Sequence, residues 1–127
     1  MDNISVLLAE DDLDTQFLIQ TMLELAGFTV TTANNGAEAL DLLQRIRPDV
    51  ILTDLMMPRL SGIQLITQLR SSVLRVIPIV AMTAHGILEP IADAQAAGAD
   101  VVLRKPLNFD QLIATLTNCA RLTPCGK

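Results

Sequence analysis

Hydrophobic residues in this chain come in five short runs, each followed by a turn and then by residues with helical periodicity. The runs are rich in Val, Ile and Leu and alternate little with polar residues, which is typical of strands buried on both faces of a parallel sheet. We therefore predict strands at Ile4–Ala9, Thr29–Ala33, Val50–Thr53, Ile77–Met82 and Val101–Leu103.

Amphipathic patterns fill the intervals between these strands. Apolar residues recur there at spacings of three and four, with charged and amide side chains on the opposite face, which predicts a helix after each strand. Pro48 is expected to stop the second helix. The apolar stripes are Leu18, Met22 and Leu25; Ala39, Leu40, Leu43 and Ile46; Ile63, Ile66 and Leu69; an Ala-rich stretch at about 88–97; and Phe109, Leu112, Ile113 and Leu116.

Capping residues mark several helix boundaries. Ser61, followed three residues later by Gln64, predicts a capping box, and Asn108 can cap the last helix. Gly27 and Gly98 stand where a helix C terminus needs a residue in the left-handed conformation.

The regular alternation of strands and helices predicts an α/β fold. Because crossovers between parallel strands are right-handed, the helices should cover both faces of the sheet and form a three-layer sandwich. Five strands favour a flavodoxin-like, doubly wound (βα)5 sheet in the order 2-1-3-4-5 over a closed barrel. The 127 residues suit one domain, 1–127, with its core at about 4–121.

Composition removes several classes of function. The chain has 14 acidic side chains against 9 Lys and Arg, for a net charge of −5, so we expect no direct nucleic-acid binding. Phe17, Phe28 and Phe109 are the only aromatic residues, which leaves no platform for base stacking. No apolar run approaches the roughly 18 residues of a membrane span, and the start lacks a charged signal segment. Together with the late thiols of Cys119 and Cys125, this favours a cytoplasmic protein without a membrane association.

Polar side chains collect where the predicted strands end. Acidic residues 10–12 follow the first strand, the third runs into Asp54, the fourth ends at Thr83, and Lys105 follows the fifth. Ligands of open parallel sheets bind beyond the carboxyl ends of the strands, beside the first one. The sequence therefore predicts that acids, a hydroxyl and an amine converge on one shallow pocket.

Each member of this group also has an ordinary structural interpretation. Acidic residues 10–12 suit the start of a helix, where Asp12 or Asp14 can cap the first turn. Lys105 can be a solvated amine or part of a structural ion pair. However, Asp54 adds a carboxylate at the neighbouring strand, and clustered carboxylates raise each other's pKa unless a cation compensates. An all-oxygen site with room for water suits Mg²⁺.

Taken together, the motifs resemble the receiver domain of bacterial two-component response regulators over essentially the full chain, in the manner of the single-domain chemotaxis regulator. All of them occur in the family's order, at the ends of predicted strands. The resemblance also implies that the Lys105–Pro106 peptide is cis. The matching elements are Glu10-Asp11, Asp54-Leu55-Met56-Met57-Pro58-x-x-x-Gly62, Thr83-Ala84 and Lys105-Pro106.

The resemblance implies a metal site at the strand ends. It assigns the metal ligands to Asp11, Asp54 and the backbone carbonyl of Met56, with Glu10 reaching the ion through water. The ion would be Mg²⁺, with Mn²⁺ as a possible substitute.

The same resemblance implies that Asp54 accepts a phosphoryl group from a phosphohistidine on a sensor histidine kinase or a histidine phosphotransfer protein. Thr83 and Lys105 would bind phosphoryl oxygens. The chain would be no enzyme beyond its own phosphoryl transfer and autodephosphorylation. It would signal to an unidentified protein target as a monomer or weak dimer, and its short ends favour a free-standing regulator over an excised domain.

Three positions bear on the lifetime and output of the phosphorylated state. Met56 and His85 border the path of the water that would hydrolyse the acyl phosphate, and we expect slow hydrolysis with His85 as a shield. His85 can equally be an exposed imidazole at a turn. The resemblance places a switch aromatic where this chain has Val102, so we expect a muted, mainly backbone rearrangement.

Other classes of protein with the same predicted fold account for fewer of these residues. A flavodoxin needs a phosphate-cradling first loop, but four of residues 10–14 are acidic, and no Trp or Tyr can sandwich a flavin. A dinucleotide-binding domain needs a Gly-x-Gly-x-x-Gly turn after the first strand, where this chain has no glycine. Haloacid-dehalogenase phosphatases need a second acid where Met56 stands. A non-phosphorylated interaction module, which would normally lack part of the group, is the next alternative, and a true enzyme comes last.

Overall fold

The computed structural model describes residues 3–57, 59–74, 76–83 and 89–122, and it confirms the predicted alternation of strands and helices. Each predicted strand is present, with bounds shifted by at most two residues. The elements are β1 (Ser5–Ala9), α1 (Leu13–Leu25), β2 (Thr29–Ala33), α2 (Gly36–Leu42), β3 (Val50–Asp54), α3 (Gly62–Arg70), β4 (Ile79–Thr83), α4 (Glu89–Ala97), β5 (Val101–Arg104) and α5 (Phe109–Leu122).

The five strands pair in parallel in the order β2-β1-β3-β4-β5, which confirms the predicted flavodoxin-like topology. Because β1 pairs with both β2 and β3, the direction of winding changes beside β1. The register brings the strand ends level: Ala9 pairs with Thr53, and Asp54 pairs with Met82. The carboxyl ends of β1, β3 and β4 therefore meet at one edge, where parallel sheets bind ligands.

Apolar side chains bury both faces of the sheet. Along β1, Val6 and Leu8 pack into a cluster with α1 and α5, whereas Leu7 and Ala9 pack into a second cluster with α2, α3 and α4. All five residues of β3 are buried. Each fully buried Leu or Ile contributes about 1.5–3 kcal/mol relative to an exposed one, so this packing fixes the strand ends in place.

The second helix is shorter than the periodicity predicts. The apolar stripe extends to Ile46, but the helix ends at Leu42, well before the proline that was expected to stop it. The last turn tightens, because the Arg45 amide donates to the Leu42 carbonyl three residues back at 2.9 Å. The Arg47 guanidinium then donates to the Leu43 carbonyl at 2.7 Å, which gives a carbonyl at the helix end its hydrogen-bond partner.

The predicted caps are confirmed. The Ser61 hydroxyl accepts from the Gln64 amide at 3.2 Å, and the Gln64 side chain accepts from the Ser61 amide at 3.0 Å. Asn108 accepts from a first-turn amide of α5 at 3.1 Å. Gly27 and Gly98 have φ of 100° and 121°, in the left-handed region. Within the described part of the chain, no helix has the length and hydropathy to cross a bilayer.

Candidate functional site

Three charged side chains meet at the carboxyl edge of the sheet. Lys105 Nζ lies 3.0 Å from Glu10 Oε1 and 3.1 Å from Asp54 Oδ2. Glu10 directly follows β1, Asp54 is the last residue of β3, and Lys105 directly follows β5. Since β5 is an edge strand, the lysine reaches across the end of β4 to contact both acids. The structure thus brings together three of the residues that the sequence placed at strand ends.

Burial makes this arrangement electrostatically costly. Glu10 is 1% exposed and Asp54 is 6% exposed. Burial and the neighbouring Asp54 charge raise the pKa of Glu10 to about 7, against the opposing effects of the Asp12 amide and Lys105. Burial would lower the pKa of Lys105, but hydrogen bonds and charge interactions with the two acids outweigh it and raise that pKa. One lysine does not fully compensate the negative charge collected at this edge.

The carboxylates are grouped as a divalent cation requires. Oxygens of Glu10, Asp11 and Asp54 all lie within 4.8 Å of one another, with Asp11 exposed and the other two buried. Hard carboxylate oxygens, open to water on one side, are the donor set that Mg²⁺ prefers. The residues present therefore fit such an ion. Met56 adjoins them, and its amide donates to Asp54 Oδ1 at 3.2 Å.

The backbone of Asp54 is fixed by close packing from α3. A Cβ on Gly62 would lie 2.2 Å from the Asp54 carbonyl oxygen and 2.7 Å from Leu55 Cα, so only glycine fits there. The Gly62 amide donates to the Leu55 carbonyl at 3.1 Å, and the Thr53 hydroxyl donates to the Asp54 carbonyl at 2.9 Å. The glycine that ends the aspartate motif thus lets α3 begin directly against the carboxyl end of β3.

A buried hydroxyl completes this edge. Thr83 ends β4 and is fully buried, and its carbonyl accepts from the Lys105 amide at 2.8 Å. Among the residues that the structure describes, nothing pairs with Thr83 Oγ1. An unsatisfied buried hydroxyl costs about 1–3 kcal/mol. A ligand oxygen at the strand ends would remove that cost.

The acidic residues in the loop after β1 have two different roles. The Asp12 carboxylate caps α1, accepting from the Thr15 amide at 3.2 Å and from the Thr15 hydroxyl. The capping interpretation is therefore confirmed for Asp12, while Glu10 and Asp11 join the carboxylate group. Sequence reasoning missed Gln16, whose side chain donates to the Glu10 carbonyl at 2.9 Å. No motif marks a glutamine for such a contact.

The remaining positions are distributed as follows. Met56 is 61% exposed at the mouth of the site. Val102 is half-buried and packs against the apolar cluster beneath α2, α3 and α4. The Lys105–Pro106 peptide is cis, as expected. His85, with its predicted role as a shield, lies outside the described residues, as do Pro58 and Ala84 of the motifs.

On this topology, an aspartate ends a central strand beside an acidic pair, a buried hydroxyl and a bridging lysine. Together these features define a phosphoacceptor-type signalling domain. The family model of the response regulator receiver domain matches residues 6–117. The chain belongs to the response regulator receiver domain family.

Known proteins of the family are similar along nearly the whole chain. Response regulator MprA of Mycobacterium sp. (strain KMS) is 35% identical over 120 residues, which are 94% of this chain and 52% of that protein. The chain thus spans about half the length of the curated relatives it matches. The receiver domain of the Francisella response regulator 1452 is 34% identical, with a TM-score of 0.89 over 96% of this chain and 100% of that one.

One similar structure contains a metal. The receiver domain of sensor histidine kinase PA1611 from Pseudomonas aeruginosa PAO1 is 30% identical, with a TM-score of 0.88 over 94% of this chain and 99% of that one, and it holds a magnesium ion coordinated in its active site cleft. This relative and the carboxylate group at residues 10, 11 and 54 together support Mg²⁺ binding here.

Proposed function

We propose that residues 1–127 act as one phosphoacceptor domain in which Asp54 receives a phosphoryl group from a phosphohistidine of a histidine kinase or a histidine phosphotransfer protein. The observation that carries this proposal is the buried contact of Lys105 Nζ with both Glu10 and Asp54, at 3.0 and 3.1 Å. It places the Asp54 carboxyl group beside a cation at the ligand-binding edge of the sheet.

The proposed reaction uses Asp54 as the nucleophile. One carboxylate oxygen attacks phosphorus, the bond from phosphorus to the imidazole nitrogen breaks, and its electron pair leaves with the imidazole, which takes up a proton. The product is an acyl phosphate on Asp54. Lys105 offsets negative charge on the transferred oxygens, and the buried Thr83 hydroxyl donates to another of them. The domain changes only itself, unlike a classical enzyme.

Four groups would hold the metal: the carboxylates of Asp11 and Asp54, the Met56 carbonyl, and Glu10 through water. When bound, Mg²⁺ or Mn²⁺ supplies positive charge that neutralises the phosphoryl oxygens as the new bond forms. The raised pKa of Glu10 supports this assignment, because a cation is what lets two buried carboxylates ionise together.

The partner would be a histidine kinase or a histidine phosphotransfer protein that docks beside the acidic loop. Leu13, Phe17 and Leu18 are 64%, 70% and 52% exposed on the first half of α1, beside the acidic loop. This apolar surface continues into a cavity of about 230 Å³ between α1 and the segment after β5. Exposed apolar patches of this kind mark protein docking sites. Kinases of this type consume ATP, so we expect the chain to act in the cytoplasm.

Slow autodephosphorylation is part of the same proposal. Met56 is exposed at the mouth of the site, and its flexible, apolar side chain cannot orient a water for attack on phosphorus. The predicted shielding by His85 would add to this. Replacing both, Met56→Asn with His85→Glu, should speed phosphoryl loss followed by intact mass. A slower double variant would contradict the assignment of both residues as barriers.

The test of the proposal is incubation with acetyl phosphate and Mg²⁺. We expect intact mass to show one added phosphoryl group, which EDTA prevents and Asp54→Asn abolishes. Asp49→Asn is the matched control, because Asp49 precedes the opposite end of β3 and accepts from the Ser5 amide. Labelling of the Asp54→Asn variant to the wild-type level would overturn the acceptor assignment.

A further inference from the structure

The side chain of Gln16 joins two loops at the carboxyl edge of the sheet. Gln16 Nε2 donates to the Glu10 carbonyl at 2.9 Å and to Asn34 Oδ1 at 2.9 Å, and it lies 3.4 Å from the Ala33 carbonyl. Gln16 is half-buried in the first turns of α1. Both amide hydrogens are therefore used to connect the loop after β1 with the loop after β2.

This contact fixes the peptide that separates two of the carboxylates. The Glu10 amide donates to the Ala33 carbonyl at 3.0 Å, and the Glu10 carbonyl accepts from Gln16. Because a peptide unit is planar, holding that carbonyl sets the plane between the Cα atoms of Glu10 and Asp11. The positions from which both carboxylate side chains leave the backbone are thereby determined.

The other end of the contact is itself held. The Asn34 amide donates to the Glu38 carboxylate. Asn35 caps α2 by accepting from the Glu38 amide at 2.8 Å. Gln16 therefore connects the acidic loop, through the exposed Asn34, to the start of α2, and we expect the acidic loop to have little freedom to adapt to a larger ion.

We infer that Gln16 is a positioning residue of the cation site and that it favours Mg²⁺ over larger divalent cations. Mg²⁺ demands near-ideal octahedral geometry with oxygens at about 2.0–2.1 Å, whereas Ca²⁺ tolerates about 2.3–2.6 Å and irregular geometry. A fixed spacing of Glu10 and Asp11 should therefore matter more for Mg²⁺. The inference rests on the proposed function, since it takes the carboxylate group to be a metal site.

The test compares Gln16→Met with Gln20→Met. Methionine keeps the length of the side chain and removes both donors. Gln20 lies one turn along α1, is half-buried, and donates to Glu24 at 3.3 Å, away from the site. Because the chain has no Trp or Tyr, affinities for Mg²⁺ and for Ca²⁺ are measured by calorimetry on the full chain.

We expect Gln16→Met to raise the Kd for Mg²⁺ about tenfold and the Kd for Ca²⁺ about threefold or less, since partners of metal ligands control affinity and Mg²⁺ is the stricter ion. Gln20→Met should bind both ions as the wild type does. Stability in urea with EDTA, measured alongside, separates positioning from general loosening. Asn34→Ala should weaken Mg²⁺ binding about two- to threefold, and it tests the inference if Gln16→Met fails to fold.

The outcomes are distinct. Equal losses for the two ions, or Mg²⁺ affinities of Gln16→Met and Asn34→Ala that match the wild type, would overturn the positioning role and leave the proposed function intact. A wild-type chain that binds no Mg²⁺ would overturn both. A selective loss of Mg²⁺ affinity in Gln16→Met, absent from Gln20→Met, supports the inference.

Discussion

Two regions of the molecule differ in the interactions that hold them together. One is the acceptor edge, formed by Glu10, Asp54 and Lys105; the other is the α4–β5 face, formed around Ala94 and Val102. At the acceptor edge, two buried acids and a lysine are joined by contacts of 3.0 and 3.1 Å that span three strands. On the α4–β5 face, Val102 is half-buried against an aliphatic cluster, and α4 offers small side chains such as Ala94. The first region is specified by charge and distance, whereas the surroundings of Val102 in the second are specified by apolar packing.

This difference bears on two separate properties of the domain, its phosphoryl transfer and its signal output. The groups that we propose for phosphoryl transfer lie together at the acceptor edge, but the α4–β5 face holds a valine at the position where the family resemblance places a rotating ring. A β-branched side chain has few χ1 states to choose between. A domain with this combination suits passing phosphoryl groups onward more than driving a large conformational change.

The largest expected effect breaks the acceptor edge. Gly62→Ala places a Cβ 2.2 Å from the Asp54 carbonyl oxygen, so the end of β3 must move. We expect destabilisation of about 3 kcal/mol in urea unfolding and a loss of roughly 100-fold or more in phosphorylation rate, because small displacements of reacting groups cost that much.

Gly27→Ala makes the same chemical change at the far end of α1, where nothing lies within 4 Å of the new Cβ but φ is +100°. Backbone strain there should cost about 1 kcal/mol and leave phosphorylation at the wild-type rate. Wild-type phosphorylation of Gly62→Ala would mean that the acceptor edge tolerates displacement.

Some features of this structure can be predicted from the sequence, and others cannot. Strand positions and topology follow from apolar runs and turn chemistry, and they bring Glu10, Asp54 and Lys105 to one edge. The end of α2 was misplaced, because the apolar stripe through Ile46 continues after the hydrogen bonding has tightened. Gln16 was missed because its partners are backbone and loop atoms, which leave no pattern in the sequence. Long-range polar contacts become visible only when the fold has placed both ends.

A second effect, of about 3 kcal/mol, comes from the pH dependence of the acceptor edge. The pKa of Glu10 is raised from 4.5 to about 7, so the folded state retains a proton that the unfolded state has already lost. Stability of the metal-free protein should therefore fall as pH rises from about 4.5 to 7 and level off above that.

Glu10→Gln removes the titrating group and should remove this fall, so the difference between the wild type and the variant is fully developed above pH 7. The measurement is urea unfolding in EDTA across that pH range. Parallel curves for the two proteins would show that burial of Glu10 costs little at neutral pH.

A third, smaller effect shows from which side the phosphodonor approaches. Phe17→Asp puts a charge on the exposed apolar surface of α1 and should slow transfer from a protein donor about tenfold, which corresponds to 1.4 kcal/mol. Acetyl phosphate, which needs no docking surface, should phosphorylate the variant at the wild-type rate. Leu25→Asp is the matched control, since Leu25 is 79% exposed at the opposite end of the same helix.

An equal loss with both phosphodonors would mean that Phe17 supports the site and not the docking of a partner. If instead Ala96→Asp, on the exposed side of α4, reduces transfer from the protein donor more than Phe17→Asp does, the donor approaches over the α4–β5 face.

The smallest expected effect lies at Val102. Val101 and Val102 are neighbours on β5, but Val101 packs toward α1 and α5 while Val102 packs toward α2, α3 and α4. Phosphorylation should leave the χ1 rotamers of both valines unchanged, because a stiff, packed valine cannot follow a moving Thr83 as a ring on a flexible χ1 would. Methyl NMR before and after acetyl phosphate with Mg²⁺ measures this, with Val101 as the internal reference. Backbone amides of β5 and α4 should shift more than either methyl pair. A rotamer change confined to Val102 would show that a packed aliphatic side chain can respond to phosphorylation. The α4–β5 face would then take part in signalling as directly as the acceptor edge does.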